Sequence, residues 1–252
     1  MRASEKLGAI AGELSAPLFR AVSHARHART FHPRGDLARV TTEAISLGGS
    51  AWLDALGSLG RRLAGNGLAR FSSALWKTPH WPDVLGCAIA FVDSKGKADQ
   101  HLLMATIRRP WTMPFSPFAT RVQDYLSNDY FAVSPFSAPG IEKLWLKLRP
   151  IPGATAHYPS SSPRGADTPG KDRRDRLAHE IAEGRALTLE ASPGPWGPWT
   201  AFMVVTLGRL QPGDPPGLEF EPFLDNRGLS PRGFVHALRH GAYAGSRAGR
   251  PH

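Results

Sequence analysis

The order of elements predicted from the sequence indicates an α+β fold, with helices near the N-terminus, antiparallel strands in the middle and one closing helix. Two patterns support this class. Apolar residues recur at helical spacing over residues 4–24, and residues 233–250 place four polar side chains at helical spacing. Between these segments, short apolar runs alternate with turn residues, as in antiparallel sheets. The 252 residues can bury a sizeable core, so we expect a single domain over residues 1–252.

The N-terminal half is predicted to contain two helices and a β-hairpin. Residues 4–24 form the first helix, and residues 42–64 form a second helical stretch that two adjacent glycines interrupt. The apolar runs Leu85–Asp93 and Leu102–Arg108 predict two strands. The polar turn 94–97 lies between them, which is the pattern of a hairpin.

The C-terminal half is predicted to be more mixed. Ser116–Tyr130 has helical spacing, and Glu142–Arg149 indicates another short element. Residues 153–176 are rich in Pro, Gly, Ser and charge, so we expect a flexible loop. Ala186–Ala191 and Thr200–Leu210 then predict two strands before the closing helix.

Composition limits the function classes. The net charge is +10, but the basic residues are scattered and no nucleic-acid motif accompanies them, so nucleic-acid binding is not expected. No apolar run is long enough to predict a membrane span, and the N-terminus has no apolar signal core. The single cysteine, Cys87, is expected to be a small core residue and fits a reducing compartment. We therefore expect a cytoplasmic location.

The closing helix carries the most informative pattern. Arg239, Tyr243, Ser246 and Arg250 fall within a narrow stripe of one helix face, since each residue turns the helix by about 100°. The phenol of tyrosine has a reference pKa of about 10, and a neighbouring cation or metal favours its ionised form. This face can bind a haem iron through the phenolate of Tyr243, with Arg239 keeping the phenolate ionised and Arg250 meeting a haem propionate.

Five further segments, in this order, resemble the catalase family. They are Arg29-Thr30-Phe31-His32-Pro33-Arg34-Gly35, Arg70-Phe71-Ser72, Asp83-Val84-Leu85-Gly86-Cys87-Ala88-Ile89-Ala90-Phe91, Ile107-Arg108-Arg109-Pro110 with Met113-Pro114-Phe115, and Phe220-Glu221-Pro222 through Ser230-Pro231. The resemblance covers roughly residues 26–250. It implies a catalase-like antiparallel β-barrel core with flanking helices and the C-terminal tyrosine-bearing helix. Since the sequence ends two residues after Arg250, we do not expect the C-terminal helical domain of full-length catalases.

The resemblance implies a haem b (iron protoporphyrin IX) site with two sides. On the distal side, His32 acts as general base and then general acid on peroxide, and Ser72 orients its imidazole. On the other side, Tyr243 is the axial iron ligand. Arg29, Arg70 and Arg250 are expected to contact the haem propionates.

Two positions depart from the family pattern. Gln100, with His101 beside it, falls where catalases have the distal asparagine, and its amide is a candidate donor to peroxide. Met113 falls where the family has a phenylalanine near the haem. The sequence does not decide whether Gln100 or His101 enters the pocket.

The sequence therefore predicts a haem-dependent peroxide-processing oxidoreductase of the catalase or peroxidase type. Its expected substrate is hydrogen peroxide or a small organic peroxide. The sequence leaves open whether the protein is a monomer or a homo-oligomer. Two alternatives stay open. One is a haem enzyme that converts organic (lipid) hydroperoxides, which Gln100 and Met113 favour slightly. The other is a non-catalytic haem-binding relic of the catalase fold, or a scaffold that binds nothing.

Overall fold

The fold is known from a computed structural model. It describes residues 35–74, 81–151, 172–213, 220–221 and 223–233. The helix predicted for residues 4–24 and nearly all of the predicted closing helix, 233–250, lie outside the described residues.

Eight antiparallel strands close into a β-barrel. The strands of the fold are β1 (Gly35–Ala44), β2 (Gly65–Ser73), β3 (Leu85–Val92), β4 (Ala98–Ala105), β5 (Tyr130–Phe131), β6 (Phe136–Ala138), β7 (Ile141–Ile151), β8 (Ala186–Ser192), β9 (Thr200–Leu210) and β10 (Ser230–Pro231). The barrel runs β1-β2-β3-β4-β5-β7-β8-β9, and β9 pairs with β1 to close it. The short strands β6 and β10 extend the sheet from β7. The predicted antiparallel barrel core is therefore confirmed.

The described helices are few and short. They are α1 (Ala51–Leu63), α2 (Ser116–Ala119) and α3 (Arg173–Ala182), with 3₁₀ helices at Pro110–Phe115 and Tyr125–Ser127. None of the described helices is long and apolar enough to cross a membrane.

The barrel interior holds the main apolar core. Side chains alternate between the two faces of a strand, and the inward set here is apolar. Phe71 pairs with Cys87, and Ala69 with Ile89, across β2 and β3, and all four belong to one buried cluster. Cys87 is thus the small core residue that the sequence predicts. Its burial raises the pKa of the thiol.

Helix α1 packs closely against the barrel. The Ser50 hydroxyl accepts a hydrogen bond from the Leu53 N–H (3.2 Å), which caps the helix N-terminus. A Cβ at Gly60 would lie 2.9 Å from the Phe202 carbonyl oxygen, so the helix approaches β9 only because this residue is glycine. The inner side of α1 adds fully buried leucines to the core: Leu56, Leu59 and Leu63.

The strands predicted at Ala186–Ala191 and Thr200–Leu210 are confirmed as β8 and β9, and the element predicted at Glu142–Arg149 is strand β7. The predicted hairpin is confirmed as β3 and β4. Its second strand, however, begins at Ala98 rather than Leu102. The prediction missed the first residues of this strand because Asp99, Gln100 and His101 are polar.

The helix predicted for residues 42–64 is wrong over its first residues. Residues 42–44 belong to β1, which pairs with β2 and β9. The Thr42 hydroxyl donates to the Leu63 carbonyl (2.9 Å), so this β-branched residue joins the strand to the end of α1.

The helix predicted for Ser116–Tyr130 is also wrong beyond Ala119. The side chain of Asn128 forms hydrogen bonds with both the N–H and the carbonyl of Arg121, and so holds an irregular turn in place of a helix. Tyr130 is already in strand β5.

The loop predicted for residues 153–176 is wrong at its C-terminal end. Helix α3 begins at Arg173, because the Asp172 carboxylate accepts the Asp175 N–H (2.8 Å) and caps it. Residues 152–171 lie outside the described part of the chain.

Candidate functional site

The outer face of strands β1 to β4 carries the candidate site. Residues next to each other across these strands are Leu37 with Arg70, Arg70 with Ala88, and Ala90 with His101. All five point away from the barrel interior, because they alternate with the core residues. This face therefore combines a strip of alanine side chains with an arginine and a histidine. We call it the β1–β4 face.

Arg70 is the cation of this face. It is only 4% exposed. A Cβ at Gly35 would lie 2.8 Å from the Arg70 Cζ, so the guanidinium side chain lies over a position that only glycine leaves open. Gly35 belongs to the first segment that resembles the catalase family, and the close approach of Arg70 explains why that segment has a glycine at this position.

Ser72 lies on the same strand and the same outer face as Arg70, two residues further along. It is 4% exposed, and it pairs in register with Gly35 on one side and Gly86 on the other. Two of the predicted site residues, Arg70 and Ser72, are thus brought together beside the start of β1.

His101 has an unusual hydrogen-bonding state. The Glu221 backbone N–H donates to His101 Nδ1 (2.7 Å). Nδ1 also lies 3.1 Å from the Glu221 carbonyl oxygen, so we assign the tautomer from the shorter contact: a ring nitrogen that accepts the N–H carries no proton, which puts the proton of the neutral imidazole on Nε2. Among the described residues, this buried Nε2 has no hydrogen-bond partner. A buried donor left without an acceptor costs about 1–3 kcal/mol, which makes it a candidate binding group.

The surroundings of His101 keep it neutral. Burial lowers its pKa, and the opposing effects of Glu221 and Asp99 are smaller. The ring packs against Phe220, with centroids 5.4 Å apart. The side chain is therefore held rigidly, with an N–H donor rather than a charge.

Gln100 lies on the opposite face of β4 from His101, because neighbouring residues of a strand alternate. It pairs with Phe91, a core residue. Its amide N–H groups donate to the carbonyls of Leu224 (3.0 Å) and Leu229 (3.1 Å). The amide is thus used to hold the backbone of the segment that precedes the predicted tyrosine helix.

That segment is anchored on the polar half of β4 by further contacts. Arg227 Nε lies 2.7 Å from Asp99 Oδ1, and the Asn226 N–H donates to the Asp99 carbonyl (3.0 Å). The Arg227 guanidinium also donates to the carbonyls of Leu63 and Ala64 at the end of α1. Polar residues on β4 therefore fix the polypeptide that leads to Tyr243.

Met113 does not join the β1–β4 face. It lies on the 3₁₀ helix Pro110–Phe115, where half of its side chain is exposed beside two exposed aromatic residues, Trp111 and Phe115.

The other predicted site residues are not described. Those that lie outside the described residues are Arg29, His32, Arg239, Tyr243 and Arg250. The sequence leaves open whether Gln100 or His101 enters the pocket, and the structure puts the two side chains on opposite faces of β4. The signal for His101 was strand alternation, which becomes readable once β4 is known to begin at Ala98.

The β1–β4 face combines small residues, a charge and an apolar cover. Ala88 and the adjacent Gly86 project little above the sheet, Arg70 supplies a positive charge, and His101 supplies a donor without a partner among the described residues. Phe220 packs on the same face in one apolar cluster with Leu37 and Ala90. Within the described ranges, no cluster of three or more His, Cys, Asp or Glu side chains is arranged to bind a metal ion.

No protein-family model matches the sequence, and no curated protein is significantly similar to it. The likeness to catalases therefore remains a prediction from sequence motifs.

Proposed function

We propose that this protein is a haem-dependent peroxide-processing oxidoreductase that binds haem b on the β1–β4 face. The observation that carries the proposal is the unpartnered Nε2–H of His101, on the face that also carries Arg70 and Ser72. A bound haem would supply the redox-active iron at which a peroxide bond is cleaved.

His32 is the proposed acid and base. It precedes Gly35 by three residues in the sequence. Gly35 pairs directly with Ser72. In the proposed step, the imidazole of His32 would take a proton from one peroxide oxygen and return it to the other, which would leave as water when the O–O bond breaks, with a bound haem supplying the two electrons. The Ser72 hydroxyl orients the imidazole.

His101 is the proposed second donor, in place of Gln100. Its Nε2–H is unused, whereas the Gln100 amide already binds the backbone of Leu224 and Leu229. A fixed neutral donor stabilises charge that develops on a peroxide oxygen without reorganisation during the reaction.

Arginines and Tyr243 complete the proposal. Tyr243 would hold the haem iron through its phenolate oxygen, and Arg239 would keep that phenolate ionised. The guanidinium groups of Arg29, Arg70 and Arg250 bind the two propionates of haem.

The test is an absorption spectrum of the protein purified from haem-replete cells. We expect a Soret band in the wild-type protein and its loss or shift in Tyr243→Phe, because a phenyl ring offers no oxygen to iron. Tyr158→Phe, the same change elsewhere in the sequence, is the matched control and keeps the wild-type spectrum. Absence of a Soret band overturns the haem proposal. A wild-type spectrum in Tyr243→Phe overturns the ligand assignment alone.

Activity assays then divide the substrate classes. We expect His32→Ala to retain haem and to lose about two to four orders of magnitude in peroxide turnover. Oxygen evolution from hydrogen peroxide identifies a catalase, and oxidation of an organic donor identifies a peroxidase. Turnover of lipid hydroperoxides in preference to hydrogen peroxide identifies neither of these but an enzyme that converts lipid hydroperoxides. A haem-loaded protein that turns over none of these substrates contradicts the enzymatic proposal.

A further inference from the structure

A second feature of the molecule is a group of exposed aromatic and apolar side chains away from the β1–β4 face. We call it the aromatic surface. Four members lie on the consecutive 3₁₀ helix and α2, and one lies in the loop before β9. Their exposed fractions range from 49% to 77%. The members are Trp111, Met113, Phe115, Phe118 and Trp196.

The segment that carries the aromatic surface has its polar side chains turned inward. The Ser116 hydroxyl donates to the Thr112 carbonyl (2.8 Å), and the Thr120 hydroxyl contacts the Thr106 hydroxyl (2.8 Å). Ser116 is buried, while Phe115 and Phe118 are largely exposed. A surface segment normally has the reverse arrangement, so the apolar side is built to meet another apolar medium.

Arg109 joins the two parts of the aromatic surface. Its guanidinium lies over the Trp196 ring and 5.5 Å from the centre of the Trp111 ring. Arg109 itself is buried. Cation–π contacts of this kind hold the two indoles in a fixed relation. The aromatic surface is therefore one preformed surface, formed by two separate segments of the chain.

The charge around the aromatic surface is positive. Residues 107–123 contain three arginines and no acidic residue, and the exposed Arg108 and Arg121 flank the aromatic side chains in sequence. The chain as a whole carries +10. A second copy would bring like charges together, whereas an anionic lipid surface offers opposite charge and an apolar layer.

We propose that the aromatic surface docks the protein on anionic phospholipid bilayers. Trp, Phe and Met side chains enter the boundary between headgroups and acyl chains, and Arg108 and Arg121 bind the phosphate and carboxylate groups of the lipids. This inference stands on different residues from the haem proposal and does not depend on it.

The test is co-sedimentation of the full chain with vesicles of phosphatidylcholine alone and of phosphatidylcholine mixed equally with phosphatidylserine. We expect binding to the mixed vesicles that weakens as salt increases, and little binding to the neutral ones. Phe115→Ser/Phe118→Ser should weaken the binding at least about tenfold. Phe115→Trp/Phe118→Trp keeps the apolar area and should retain it.

The charge contribution has its own matched pair of variants. Arg108→Gln/Arg121→Gln should weaken binding by about fivefold for each arginine removed. Lys95→Gln/Lys97→Gln removes the same charge from the hairpin turn at the other end of β4 and should bind like the wild type. If the two pairs weaken binding equally, net charge rather than this surface is responsible, and the proposal is overturned.

Three other outcomes also overturn it. One is no binding to either vesicle. Another is a concentration-dependent dimer that the serine double variant dissociates, which would make the aromatic surface an interface with a second copy. The third is binding of single-stranded RNA that the same variant abolishes, with no vesicle binding.

Discussion

Two parts of the outer barrel wall bury polar side chains, and they differ in how those groups are satisfied. On β7 and β8, Lys147 and Glu190 pair in register and form an ion pair (2.5 Å), with the Lys147 ammonium 4.8 Å from the centre of the Trp199 ring. On the β1–β4 face, the buried Nε2–H of His101 has no partner among the described residues. In the first region the two charged groups satisfy each other, although the buried Trp145 Nε1 of β7 has no partner among the described residues; in the second region the His101 donor is available for a ligand. Burial of polar groups alone therefore does not indicate a site.

The largest effect is expected when the Lys147–Glu190 ion pair of β7 and β8 is broken. Glu190→Ala leaves the Lys147 ammonium buried without its counter-charge, which should lower the free energy of unfolding by about 3–5 kcal/mol. Denaturant unfolding measures the loss. The double variant Lys147→Met/Glu190→Leu removes both charges and should lie much closer to the wild type. Equal losses in the single and double variants would show that packing, not charge, stabilises this region.

The next effect concerns the open donor. In His101→Asn, the side-chain oxygen can still accept the Glu221 N–H, but nothing reaches the place of Nε2. Under the proposed function, the kcat for peroxide should fall about 10²-fold, with the unfolding midpoint nearly unchanged. His101→Gln restores a donor at the Nε2 distance and should recover most of the rate.

A measurement that does not depend on enzymatic turnover distinguishes the donor role of His101 from a purely structural role. Nitrogen NMR of labelled histidine should show the Nε2–H tautomer of His101, which the 2.7 Å contact from the Glu221 N–H favours over the 3.1 Å contact to the Glu221 carbonyl oxygen. Observation of the Nδ1–H tautomer contradicts the donor assignment, whatever the kinetics of the variants.

A smaller effect distinguishes Gln100 from its neighbour. Gln100→Met keeps the side-chain length but removes the amide donor from the carbonyls of Leu224 and Leu229, of which the Leu224 carbonyl still accepts the His101 N–H. We expect a loss of about 1–3 kcal/mol in unfolding free energy. The half-buried Gln123→Met is the control and should cost little. If Gln100→Met instead lowers kcat without a stability change, Gln100 and not His101 is the donor to peroxide.

The difference between apolar strands and the polar start of β4 explains which parts of the fold the sequence can predict. Mainly apolar runs such as 200–210 predict their strands because most of the run, all but Thr206 and Arg209, is buried or half-buried in one wall. Residues 99–101 look like a loop, yet they continue β4, since their polar groups bind the backbone of residues 221–229. Contacts between segments more than 100 positions apart leave no local pattern. Motif spacing identified Arg70 and Ser72 as candidates, while the role of His101 required the strand register.

The smallest expected effect concerns an intermediate case, Glu180 on α3. Its carboxylate is largely buried, with Arg185 Nη2 3.9 Å away and Asp124 nearby. Burial is the main cause that raises the pKa of Glu180 from 4.5 to about 7, so the folded state favours the neutral form and loses stability as the pH rises from 4.5 to 7. Glu180→Gln should therefore be about 1–2 kcal/mol more stable than the wild type at pH 8 and equal to it at pH 4. Denaturant unfolding at pH 8 and pH 4 measures the difference in unfolding free energy between variant and wild type. The control Glu183→Gln, at an exposed position, should show no such difference at either pH. A gain of equal size at both pH values would mean that the amide improves hydrogen bonding, and that the carboxylate is not the source of the pH dependence.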